Sequence, residues 1–101
     1  MEKKELVPVD RHRYIVLAIY DIVDNKRRNK MVKYLEQYAT RVQKSCFEGF
    51  LTLKQYKKME REASQIIDEE ADSLRIYILQ DHAQVLSWGR GEVKNDDVII
   101  Y

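Results

Sequence analysis

The longest uninterrupted apolar run in the chain, Tyr14-Ile-Val-Leu-Ala-Ile-Tyr20, has seven residues and is rich in β-branched and aromatic side chains. That pattern predicts a central strand buried on both faces. Asp21-Ile-Val-Asp24-Asn25 closes the run, and Asp24 or Asn25 can cap the helix that starts next. Met31, Leu35 and Tyr38 then recur at i, i+4 and i+7, with Val32 and Ala39 widening the stripe. From Arg41 to Leu51 the period falls towards two, around Val42, Cys46, Phe47 and Phe50. This allows two short strands, or one strand interrupted by a bulge near Ser45. Thr52-Leu-Lys-Gln55 has the spacing of a capping box. Leu53, Tyr56, Met59 or Glu60, Ala63, Ile66 and Ile67 carry the helix behind it to about Asp68. A charged turn over 68–72 leads into Leu74-Arg-Ile-Tyr-Ile-Leu79, whose alternation predicts a half-buried strand. Gly89-Arg-Gly91 signals a turn, and Asp97-Val-Ile-Ile-Tyr101 a further short apolar strand.

The order strand, helix, strands, helix, strand, tail strand predicts an α+β fold. With right-handed crossovers it is a ferredoxin-like βαββαβ sandwich with an extra C-terminal strand. Residues 1–13, polar and mixed in charge, read as an N-terminal arm, 14–80 as the ferredoxin-like domain and 81–101 as a C-terminal extension. An apolar terminal strand left exposed would template pairing with another chain. Its expected place is against the partner protomer of a homodimer.

Composition narrows the reading. A chain of 101 residues fits one domain, and no apolar run approaches the length that spans a bilayer. The first five residues, Met1-Glu-Lys-Lys-Glu5, are charged, which predicts no secretory signal. A single cysteine, Cys46, permits no internal disulfide and favours a reducing, cytoplasmic setting. The two histidines stand 70 residues apart and no Cys-x-x-Cys is present, so a zinc site has little support. The net charge of +1 looks unpromising for a polyanion binder, but it is a cancellation. Residues 25–44 carry seven cations against Glu36, a net +6, while 60–81 carry seven acids against Arg61 and Arg75, a net −5. Such asymmetry points to a charged partner on one side of the fold.

Among candidate groups Asp21 comes first, because it ends the central strand beside the basic helix start, while Asp24 is the better cap. One aspartate is a poor magnesium site, since Mg²⁺ takes octahedral oxygen ligands with one or two carboxylates. A two-fold dimer would supply the second. The cationic helix start suits a phosphate. Ser45 lacks a nucleophile elbow, neither His12 nor His82 sits in a base motif, and Cys46 reads as a buried inert thiol. Tyr20 and Tyr77 are the tyrosines best placed near a ligand, and Trp88 reads as a packing anchor.

Three segments in register resemble a known family: Ile19-Tyr-Asp-Ile22 with Asp24-Asn-Lys-Arg-Arg28, then Arg41-Val-Gln-Lys-Ser45-Cys-Phe-Glu48, then Asp72-Ser-Leu-Arg-Ile-Tyr77. Together they look like the second of the two universal CRISPR-associated proteins. The tail Asp96-Asp-Val-Ile-Ile100 resembles that family's exchanged last strand. The resemblance implies a homodimer that acts in spacer acquisition, bridges dimers of the CRISPR integrase and lies along DNA. It also implies Mg²⁺- or Mn²⁺-dependent endonuclease activity on RNA or DNA, with Asp21 from both protomers holding the metal. Arg27, Arg28, Lys30 and Arg41 are the expected nucleic-acid contacts, supported by Tyr20, Asp24 and Phe47. Lysine at position 30, where some members carry arginine, offers a point charge rather than a bidentate fork. Two other readings are a non-catalytic DNA-binding bracket for the integrase and an endoribonuclease toxin of the virulence-associated protein D type.

Overall fold

A computed structural model describes residues 12–79 and residues 86, 88 and 89. The elements are β1 (Arg13–Asp21), α1 (Asn25–Leu35), β2 (Thr40–Gln43), β3 (Cys46–Thr52), α2 (Leu53–Ala63) and β4 (Ser73–Leu79). The sheet order is β2-β3-β1-β4, and every neighbouring pair is antiparallel. Each βαβ unit is therefore split by a strand of the other, the ferredoxin-like arrangement that the element order predicts. The N-terminal arm up to residue 11 and the expected strand at 97–101 lie outside the described residues, as does His82. Among the described residues no helix is long and apolar enough to cross a membrane.

Both helices pack on one face of the sheet. Val16, Ala18 and Tyr20 of β1 alternate towards Met31 and Leu35 of α1 and Met59 and Ala63 of α2, with Phe47 and Leu51 of β3 completing the core. The opposite face carries the other half of the alternation: Ile15 beside Phe50 and Leu79, Leu17 beside Glu48 and Tyr77, and Ile19 beside Cys46 and Arg75. No helix covers it. Ile15 is buried there, but Ile19 and Tyr77 stay about two-fifths exposed, at 39% and 42%. Burial of β1 on both faces thus fails towards its C-terminal end within a single chain.

Local chemistry explains the element boundaries. Asp24 caps α1, its Oδ2 accepting from the Arg27 backbone N–H at 2.9 Å. Thr52 and Gln55 form the reciprocal capping box expected from their spacing. The segment 41–51 makes two strands joined by the Lys44–Ser45 turn, and the irregularity falls in β2, between Arg41 and Gln43, rather than at Ser45. Three expectations need correction. α2 ends at Ala63, not near Asp68, because Gln65 and Ile66 donate three residues back, to Glu62 and Ala63, which tightens the chain out of α-geometry. Ile66 and Ile67 still pack on the core, so the apolar period outlasts the helix. Leu53 is 44% exposed and does not belong to the buried stripe, which runs through Tyr56, Met59 and Ala63. α1 likewise stops at Leu35, and Tyr38 and Ala39 reach the core from the turn beyond it.

Candidate functional site

β1 delivers Asp21 to its own end, opposite Ser73 at the start of β4. A groove of about 290 Å³ opens there, lined by Tyr20, Asp21, Ile22, Arg28, Arg41, Lys44 and Ser45. It gathers one carboxylate and three cations from four places in the chain: the end of β1, the first turn of α1, strand β2 and the β2–β3 turn.

The cations are braced on backbone. Arg28 donates from Nε to the Ile22 carbonyl at 3.1 Å, from Nη2 to the Val23 carbonyl at 3.2 Å, and from Nη1 to Asn25 Oδ1. Arg41 donates from Nε and Nη2 to the Lys44 carbonyl, at 3.2 and 2.7 Å, and lies over the Phe47 ring with its guanidinium carbon 5.9 Å from the centroid. The Tyr20 hydroxyl donates to the same carbonyl at 3.3 Å. Burial pushes the Tyr20 phenol up against the opposing pull of Arg41 and Arg28, so it is a neutral donor. Phe47 is fully buried, the floor under Arg41 rather than a surface group.

Of the expected contacts, Arg28 and Arg41 line the groove with Asp21 and Tyr20, whereas Arg27 and Lys30 do not. Arg27 pairs with Asp72, Nε to Oδ2 at 2.8 Å and Nη2 to Oδ1 at 3.2 Å. Lys30 joins Lys26 and Lys33 on the exposed side of α1. Asp24 serves as the cap. Tyr77 lies on the open sheet face, where its hydroxyl accepts from Arg75 at 3.2 Å. Cys46 is half-buried on that same face, and burial, with Glu48 nearby, pushes its thiol up, which keeps it protonated and unreactive. Trp88 is 81% exposed and so is no anchor within this chain.

Two sets of residues were not expected from the sequence as parts of a binding surface. Lys44 and Ser45 enter the groove because the β2–β3 turn folds beside the end of β1, with Tyr20 N–H donating to the Ser45 carbonyl at 3.1 Å. Lys54, Lys57, Lys58 and Arg61 are exposed on α2. Their i, i+3, i+4, i+7 spacing places all four on the side of α2 opposite Met59 and Ala63. That spacing was the available signal. The outer surface of the helical layer is therefore basic on both helices.

Among the described residues no group of three or more His, Cys, Asp or Glu side chains comes together. Among the described residues Asp21 is the one carboxylate lining the groove and stands beside three cations, an incomplete donor set for Mg²⁺. A two-fold copy that apposes a second Asp21 completes it more nearly.

The family described as CRISPR associated protein Cas2 matches residues 14–85. A protein of Synechocystis sp. called CRISPR-associated endoribonuclease Cas2 3 is 40% identical over 78 residues, covering 75% of this chain and 85% of that protein. The crystal structure of Streptococcus pyogenes Cas2 aligns with a TM-score of 0.60 and 36% identity, over 64% of this chain and 84% of that one. A chain of a partial Cas6-RT-Cas1–Cas2 complex aligns with a TM-score of 0.56 and 32% identity, over 67% of this chain and 75% of that one. The split βαβ sheet, the likeness to a solved Cas2 structure and the family match across most of the chain agree, and the protein belongs to the CRISPR-associated Cas2 family.

Proposed function

We propose that the protein works as a homodimer that binds nucleic acid in CRISPR adaptation and cleaves phosphodiester bonds at the Asp21 groove. The observation that carries this reading is a carboxylate held on a rigid central strand among Arg28, Arg41 and Lys44. The name of the Synechocystis relative supports the endonuclease activity, and the likeness to a chain of a Cas1–Cas2 complex supports partnership with the CRISPR integrase.

The chain's own groups divide the work. Asp21 of each copy would hold one Mg²⁺ or Mn²⁺, which when bound makes a coordinated water more acidic and offsets charge that develops on the phosphorus oxygens. Arg28 spends three of its nitrogens on Ile22, Val23 and Asn25, and Arg41 two on Lys44, which fixes both guanidinium planes. A guanidinium has five N–H donors, so each keeps donors for a phosphate while its position costs no further ordering. Lys44 adds a point charge. Tyr20, neutral, ties the β2–β3 turn to the strand that carries Asp21.

The test is cleavage of single- and double-stranded RNA and DNA with Mg²⁺, with and without EDTA, using the parent protein and Asp21→Asn. The expected result is EDTA-sensitive cleavage that Asp21→Asn lowers by about 100-fold or more, the usual scale for a lost general acid–base or metal-ligand group, with dimer mass unchanged in light scattering. Cleavage that survives the substitution in clean protein refutes the catalytic reading.

A second reading, the non-catalytic bracket, is favoured by the basic outer surface of α1 and α2, which lies away from the groove. It expects binding that weakens steeply with salt and shows little base preference. It predominates if Asp21→Asn leaves function in spacer acquisition intact.

A further inference from the structure

Asp72 has no exposed side-chain surface, whereas its partner Arg27 is 30% exposed. Its Oδ1 accepts from the Val23 backbone N–H at 3.0 Å and from Arg27 Nη2 at 3.2 Å. Its Oδ2 accepts from Arg27 Nε at 2.8 Å and from the Asp68 backbone N–H at 2.9 Å. A carboxylate offers about four acceptor positions, and here all four are taken. Asp72 thus has no capacity left to ligate a metal or orient a water, and Arg27 commits Nε and Nη2 to a carboxylate that neutralises its charge, whereas Arg41 spends the same two nitrogens on a neutral carbonyl.

What the pair holds is the segment directly after Asp21. Val23 lies two residues beyond it, and Ser73, next to Asp72, is its ladder partner on β4. From the other side Arg28 takes the carbonyls of Ile22 and Val23. The loop between β1 and α1 is therefore gripped on its N–H side by Asp72 and on its C=O side by Arg28. We propose that Arg27 and Asp72 are a positioning pair that fixes the orientation of the Asp21 carboxylate by clasping the β1–α1 loop to the start of β4, and that Arg27 is not a nucleic-acid contact. This deepens the reading of the Asp21 groove and rests on it for the cleavage arm of the test alone.

The protein is compared with Asp72→Ala, with Arg27→Gln, which is milder and leaves Asp72 in place, and with Glu69→Gln as a control for charge on the same turn. Three readouts are taken at a temperature where circular dichroism shows each variant folded. Amide hydrogen exchange at Val23 should quicken by about 10-fold or more in Asp72→Ala, as expected for loss of a buried acceptor. The kcat of Asp21-dependent cleavage should fall by about 10-fold in both variants with KM within about twofold, the pattern of misplacement rather than lost binding. The slope of log binding constant against log salt should stay the same in Arg27→Gln, whereas a lost phosphate contact lowers it by about 1. Glu69→Gln should match the parent throughout. Unchanged Val23 exchange in Asp72→Ala overturns the proposal, as does a reduced salt slope in Arg27→Gln, or an unaltered kcat where the parent cleaves. A parent without Asp21-dependent cleavage refutes the catalytic reading of the groove, while exchange and salt slope still decide the positioning of the loop.

Discussion

At the scale of single residues, position in the basic run 25–44 does not tell what a cation does. Arg27, Arg28, Lys30 and Arg41 share a composition but take three roles: a clasp on Asp72, a brace at the groove, and a solvent-facing charge. The residues could be read from the sequence as basic and near Asp21. Their division could not, because Arg27 meets its partner 45 positions away. That partner supplies a pH test. The Arg27 guanidinium, aided by backbone N–H groups of Asp68 and Val23, holds the Asp72 carboxyl well below the usual carboxylate range. A carboxyl whose pKa is lower folded than unfolded stabilises the fold at pH above its unfolded value, about 4. It loses that contribution as pH falls below about 4 towards the folded value. The melting temperature of the parent should therefore drop through this window, and Asp72→Asn should show a flatter profile that meets the parent's at the acid end. Parallel profiles in calorimetry would show that Asp72 is not the group responsible.

At the scale of elements, caps were legible and ends were not. Asp24 and the Thr52–Gln55 box act within four residues, so local spacing suffices to find them. The end of α2 depends instead on where the chain must turn to reach β4, and an apolar period running on to Ile67 conceals it. Gly49 makes the same point. The structure gives the glycine a packing reason. A Cβ there would stand 2.8 Å from the Tyr38 carbonyl oxygen and 3.2 Å from the Ala39 Cβ, where the turn after α1 crosses β3. Backbone cannot swing aside as a flexible side chain can. Gly49→Ala should destabilise the fold by about 1–3 kcal/mol, the usual cost of overpacking. Chemical denaturation measures it, and a midpoint equal to the parent's would mean that the turn yields freely.

At the scale of the whole molecule, the helices cover one face of the sheet, while the other, where Ile15 and Glu48 are buried, is left exposed towards the Asp21 end. Ile19 and Tyr77 remain exposed there beside Leu17, Cys46 and Arg75, and Asp21 stands at the end of the same row. A second copy on this face would cover the apolar groups and bring two Asp21 carboxylates into one site. Ile19→Asp should then reduce the mass in light scattering at micromolar concentration to that of one chain, because the new charge would have to be buried unpaired. An unchanged mass would place the interface elsewhere. The apolar run of β1, the alternation of β4, the two helical stripes and the capping signals determined the ferredoxin-like order, since each rests on neighbours within a few residues. They also marked Asp21 as a strand-end carboxylate beside a basic helix start. Only the tertiary structure decided which cations reach it, that Lys44 and Ser45 join them, and that Asp72 clasps the loop behind. Those contacts form between segments 20 to 50 positions apart, and the strand pairing that closes such distances leaves no period in the sequence.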